Sequence, residues 1–178
     1  MFYVALLRGI NVGGKGKVGM TDLRALFEGL GFGNVKTYIN SGNVIFETSN
    51  PEAGLVKTIE TAIEKHFGFA VRVIVRDQAS IEKLVRAIPK TWVNDKAMRC
   101  DVMILWKEID NPKILEQLPF NPYLEDLKYF PGAVVWRISR ANVTKTRMTK
   151  ILGTDLYKQI TIRNVNTVRK LHELMQNL

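Results

Sequence analysis

Two turn sequences constrain this chain more than any other feature. Asn40-Ser41-Gly42-Asn43 separates the β-prone runs 35–39 and 44–47, and Pro131-Gly132 separates 127–130 from 133–138. Turns this short between apolar, β-branched runs read as hairpins, so each pair of runs is expected as antiparallel neighbours. The surroundings of the two hairpins match. Before the first lie an apolar strand at 2–8 and a helical pattern with Leu23, Leu26, Phe27 and Leu30 at i, i+3, i+4, i+7, closed by Gly31. After it come a helix from Asn50-Pro51 with Val56, Ile59, Ile63 and Phe67 inward, ended by Gly68, and a strand at 71–75. Asp77 or Ser80 caps a connecting helix that Pro89 stops.

The second hairpin repeats the order. A strand is expected at 101–106, a short helix at 112–118, a basic helix around 145–152 and a strand at 159–162. A last helix starts at Asn164, with Val168, Leu171 and Met175 on one face. The halves share element order but no sequence identity. The expectation is therefore an α+β chain of two ferredoxin-like βαββαβ halves plus a C-terminal helix. The polar stretch 90–99 suggests lobes at 1–89 and 90–178.

Composition narrows the function classes. Hydrophobic residues make up 46% and charged residues 24%, values ordinary for a globular protein. No run approaches the roughly 20 apolar residues of a membrane span. The apolar start at residues 2–7 lacks a basic lead and ends at Arg8, unlike a signal peptide. The single cysteine, Cys100, fits a reducing compartment, so a cytoplasmic location without a membrane partner is expected. The net charge is +9, and residues 137–170 carry nine cations against Asp155 alone. Charge of that density attracts phosphorylated ligands, nucleic acid or an acidic protein partner, or it serves only as a solvated face.

Three polar clusters are candidate sites. The first is the loop 9–19, with Arg8, Asn11, Lys15 and Lys17 among five glycines, a candidate backbone cradle for an anion. Its Gly9-x-x-x-x-Gly14-Lys15 matches a phosphate-binding P-loop, but Gly16 stands where a hydroxyl must hold Mg²⁺ and the next helix begins too late. Gly14-x-Gly16-x-x-Gly19 matches the dinucleotide pattern more weakly still. The second cluster is Tyr38, Ser41 and Asn43, which either orient a ligand or simply make the turn. The third is Arg163, Asn164 and Thr167, an anion site at a helix start or a plain N-cap. His66 and His172 lack metal-ligand spacing, no G-x-S-x-G or H-E-x-x-H occurs, and neither a metal nor a cofactor is expected. The third strand would offer Asn43 and Ile45 where RNA-recognition sheets stack aromatics, which disfavours that mode.

Three blocks carry a family resemblance. Arg8-Gly9-Ile10-Asn11-Val12-Gly13-Gly14 resembles the opening block of the domain-of-unknown-function 1697 family, a family of bacterial proteins. Residues 38–46, Tyr-Ile-Asn-Ser-Gly-Asn-Val-Ile-Phe, resemble its second block, and residues 161–168 its C-terminal one. Val165 stands where the family often has Trp. The resemblance implies duplicated ferredoxin-like parts and no particular activity. The leading expectation is a binding protein for an anionic, phosphate-bearing molecule or a nucleic-acid backbone. The alternatives are a metal-independent enzyme acting on a phosphorylated small molecule and an interaction module for an acidic protein.

Overall fold

The computed structural model describes residues 1–14 and 16–178. The chain forms two compact units, one of Met1–Ile81 with Leu171–Leu178 and one of Glu82–Lys170. Each unit contains one four-stranded antiparallel sheet, and the two sheets have equivalent strand orders.

In the first unit the order along the chain is β1 (Phe2–Leu7), α1 (Met20–Gly29), β2 (Gly33–Tyr38), β3 (Asn43–Glu47), α2 (Leu55–Phe67) and β4 (Val73–Asp77). The sheet runs β2-β3-β1-β4, with Ala5 opposite Val44 on one side and Val75 on the other. That is the ferredoxin-like βαββαβ arrangement. A P-loop fold would need parallel strands around β1, so the Gly9–Lys15 match carries no P-loop. Strand alternation sends Tyr3, Ala5, Leu7, Val44, Phe46, Val73 and Val75 to one face, where Leu23 and Phe27 of α1 and Ile59 and Ile63 of α2 cover them. Phe46 is the hub, with ring centroids of Phe32 at 4.6 Å and Phe27 at 5.4 Å. Helix α2 starts later than the Asn50-Pro51 signal predicts. Gly54 takes φ +96°, which a helix interior does not admit, so a separate turn closed by Leu55 N–H on the Glu52 carbonyl precedes it. Asp77 caps the connecting helix α3 (Gln78–Ala87) by accepting the Ser80 N–H at 2.7 Å.

The second unit holds β5 (Met98–Leu105), β6 (Glu125–Phe130), β7 (Ala133–Ser139), α4 (Asp155–Lys158) and β8 (Ile160–Asn164), in the order β6-β7-β5-β8. Its crossovers are thinner than the sequence pattern predicts. The helix expected at 112–118 is a 3-10 helix, Pro112–Gln117, and the basic helix expected at 145–152 is two 3-10 turns, Arg140–Lys145 and Met148–Ile151. Val143, Thr144, Thr146 and Thr149 are β-branched and poor helix formers. The Thr146 hydroxyl also accepts the Met148 N–H at 3.0 Å, which breaks the run between the two turns. These turns still close a core: Ile114, Leu118, Met148 and Ile151 pack with Met103, Trp136, Ile138 and Ile160. The terminal helix α5 (Val165–Gln176) begins in this unit, and its last residues belong to the first.

Candidate functional site

The loop after β1 is organised by one side chain. Asn11, at φ +55°, donates through Nδ2 to the carbonyls of Val18 (3.0 Å) and Asn40 (2.9 Å), and its Oδ1 accepts the Val18 N–H at 2.9 Å. It therefore ties the loop to itself and to the β2–β3 turn. A cleft of about 450 Å³ opens beside it, lined by Asn11, Gly14, Lys17, Val18, Gly19, Met20 and Asn40. Lys17 is exposed there. Gly19 precedes α1 without a side-chain cap, and the Asp22 carboxylate lies close by, 2.9 Å from where a Cβ on Gly19 would stand. Among the described residues, the positive charge lining this cleft is that of Lys17 rather than of a bare helix end. Lys15 lies outside the described residues.

The β2–β3 turn is locked against β1. Leu7 N–H donates to the Gly42 carbonyl at 2.8 Å, and a Cβ on Gly42 would stand 2.7 Å from Leu7 Cβ and Ile10 Cδ1. Only glycine fits, at φ +73°. Asn43 is fully buried and donates to the Tyr38 carbonyl (2.8 Å) and Ser41 Oγ (3.0 Å). Asn43 is thus a turn builder, while Tyr38 and Ser41 remain half-exposed. Ile39, a β-branched residue, sits at φ +51° and 48% exposed. Arg8 does not line the cleft. Its N–H donates to the Arg72 carbonyl at 2.9 Å, so the two arginines stand opposite each other across the β1–β4 ladder. They lie on the sheet face that bears Leu6, Asn43 and Ile74, away from α1 and α2. Sequence reading missed Arg72, which precedes β4; only the strand register brings it beside Arg8.

In the second unit, Asn164 ends β8 and starts α5. Its Oδ1 accepts the Thr167 N–H at 2.9 Å and the Thr167 hydroxyl at 3.3 Å, a side-chain N-cap. Thr167 is buried. Arg163 is buried too, with its guanidinium donating to Thr161 Oγ1 (3.1 Å) and the Ile162 carbonyl (2.9 Å). Burial pushes its pKa down to about 10, so it stays cationic at neutral pH. The trio is brought together, but as a cap over a buried cation.

The profile of a family described as "Protein of unknown function (DUF1697)" matches residues 1–136. The chain belongs to this family. A conserved bacterial protein from Streptococcus pneumoniae has a similar solved structure, at 32% identity over 98% of each chain and a TM-score of 0.84. No curated protein matches. The DUF1697 match takes in the blocks at 8–14 and 38–46, the two that form the loop and turn just described, and stops before the third block and the basic segment.

That basic segment, in this DUF1697 chain, is split by the second sheet. Arg137 and Arg163 lie on the face away from the 3-10 turns, since their strand neighbours Trp136, Ile138 and Ile162 point into the core. Arg137 bonds Asp126 at 2.9 Å and stacks on Trp92 at 4.9 Å. Lys145, Arg147 and Lys150 sit exposed in and between the turns that cover the opposite face. Arg140 holds the Asp95 carbonyl at 2.6 Å, and Lys158 pairs with Asp155. Burial pushes the Cys100 thiol up to about 11, leaving it a poor nucleophile. Burial also raises the Asp101 carboxyl, against the pull of Arg99 at 2.8 Å. Among the described residues, no group of three or more His, Cys, Asp and Glu could hold a metal ion. None of the described helices is long and apolar enough to cross a membrane.

Proposed function

We propose that this protein binds a phosphate-bearing small molecule at the end of its first sheet where the loop 9–19 meets the β2–β3 turn. The observation that carries this reading is the joint itself. Asn11 and Gly42 hold two polar loops together around a cleft of about 450 Å³, with Lys17 on its wall. A volume of that size suits a small ligand. The division of the 137–170 cations between two sides of the second sheet speaks against a long nucleic-acid track there. The test is a thermal-shift screen of nucleotides and sugar phosphates, each beside its dephosphorylated counterpart. A ligand at 100 times its dissociation constant adds about 2.7 kcal/mol of stability. Stabilisation by the phosphorylated member of a pair, diminished in Lys17→Ala, is the expected result. Equal shifts with both members, or no shift with any, would remove this reading.

A further inference from the structure

We propose that Asn40 is the specificity-determining contact of the cleft beside the loop 9–19: its carboxamide reads a hydroxyl group, and the bound molecule is a phosphorylated sugar or polyol. The inference rests on the reading that this cleft takes a phosphate-bearing small molecule, and it names the class of that molecule. Asn11, Lys17 and Asn40 are the polar side chains of the lining. Asn11 is committed to the backbone, since its Nδ2 donates to the carbonyls of Val18 (3.0 Å) and Asn40 (2.9 Å) and its Oδ1 accepts the Val18 N–H (2.9 Å). Lys17 and Asn40 are both exposed, and no described group engages the ammonium of the one or the carboxamide of the other. The bond from Asn11 holds the Asn40 carbonyl, so the carboxamide is presented from a fixed backbone. That lowers the ordering cost of binding through it.

The two groups do different chemistry. An ammonium is a point charge with three rotatable donors and no acceptor, so Lys17 suits a phosphate without telling one phosphate ester from another. A carboxamide offers two N–H donors and a carbonyl acceptor. A hydroxyl is donor and acceptor at once and pairs with either side of it. The rest of the lining disfavours the other common class of phosphate ester, the nucleotide. Nucleobases are held by stacking on aromatic rings, and none of the described lining residues is aromatic. The two apolar side chains present little face, since Val18 is 3% exposed and Met20 packs against the first core. Gly14 and Gly19 offer only backbone. A cleft of about 450 Å³ is also near the small end of the roughly 300–1,000 Å³ that ligand sites span.

The test is isothermal titration of the full chain with two pairs of probes. Glycerol 3-phosphate and propyl phosphate share charge and chain length and differ in their hydroxyls. Ribose 5-phosphate and adenosine 5′-monophosphate differ in the base. A hydrogen bond contributes roughly two- to tenfold in affinity, so the parent should bind glycerol 3-phosphate about five- to tenfold more tightly than propyl phosphate. Asn40→Ala should bring the two within about twofold. Lys17→Ala should weaken both by a similar factor and keep the preference between them. Ribose 5-phosphate should bind at least as tightly as the nucleotide. Thermal melting of each variant checks that the fold is intact. If the parent binds glycerol 3-phosphate and propyl phosphate equally, or if Asn40→Ala keeps the preference, the role of Asn40 is overturned, and the cleft reading stands as long as Lys17→Ala weakens both. If the nucleotide binds clearly more tightly than ribose 5-phosphate, the sugar or polyol class is overturned and the cleft reading again stands. If none of the four phosphates binds, both fall together.

Discussion

Ile39 holds the least comfortable backbone among the described residues. At φ +51° its β-branched side chain crowds its own carbonyl, at a cost of about 1–2 kcal/mol that glycine would not bear. About half of the residue is in water, so the burial that offsets that strain is only half that of a core isoleucine. Ile39→Gly is therefore expected to stabilise the chain by no more than about 1 kcal/mol after glycine's own entropy and the lost burial are counted, as measured by urea unfolding. Unchanged or lower stability would mean that the ring of contacts around the turn needs the isoleucine. Asn11 presents the opposite case. Its side chain makes three hydrogen bonds at a positive φ, so Asn11→Ala should cost about 2–4 kcal/mol, and Asn11→Asp should fare no better, because it sets a carboxylate against two carbonyls. Amide exchange at Val18 checks it: the protection of that N–H should collapse in the alanine variant. The sequence made Asn11 a candidate ligand contact; nothing in its spacing says that its donors and acceptor close on the neighbouring backbone.

At the scale of elements, periodicity was enough where helices are long. The stripe Leu23, Leu26, Phe27, Leu30 marked α1, and Val168, Leu171, Met175 marked α5, because a buried face repeats every three or four residues. The basic helix expected at 145–152 did not form, because β-branched residues and a threonine bond favour 3-10 turns there. Turn residues were equally legible: Gly42 and Pro131-Gly132 sit where the hairpins need them. Strand register was not legible, since the pairing that sets Arg72 beside Arg8 depends on two segments more than sixty residues apart. The capping of α5 gives a direct test. Asn164→Ala should cost about 0.5–2 kcal/mol, whereas Asn164→Asp, an equally good cap, should be tolerated. A loss as large in Asp as in Ala would show that the amide nitrogen matters more than the cap. The turn before β5 gives another. Asp95 accepts the N–H groups of Ala97 and Met98, each at 2.8 Å, and these bonds hold its carboxyl below the usual value of 3.8. A carboxyl lowered in the folded state stabilises above its unfolded pKa and loses that contribution as pH falls through its folded pKa. The stability difference between the parent and Asp95→Asn should accordingly be constant at neutral pH and change only below about pH 4.

For the whole molecule, the surplus of positive charge invites a nucleic-acid reading, and its placement argues against one. A duplex contacts one side of a protein at a time, so cations on opposite faces of the second sheet cannot all reach it. Arg137 and Arg163 lie on one side, the latter buried, while Lys145, Arg147 and Lys150 stand exposed on the other. Lys145, Arg147 and Lys150 are one exposed set that the segment 137–170 offers in the second unit. Each phosphate neutralised on duplex DNA contributes about −0.9 to the slope of log affinity against log salt, so these three residues account for a slope no steeper than about −2.7. Replacing all three residues by glutamine should remove that share and leave any remainder unchanged. The measurement is fluorescence anisotropy of a labelled duplex between 50 and 200 mM salt. A drop in slope of five or more on the triple replacement would mean that the cations act as one continuous track, and the argument against a nucleic-acid partner would fall. A drop of three or less, with the phosphate-dependent thermal shift unaffected in the same variant, would separate the anion site proposed for the first unit from the solvating charge of the second.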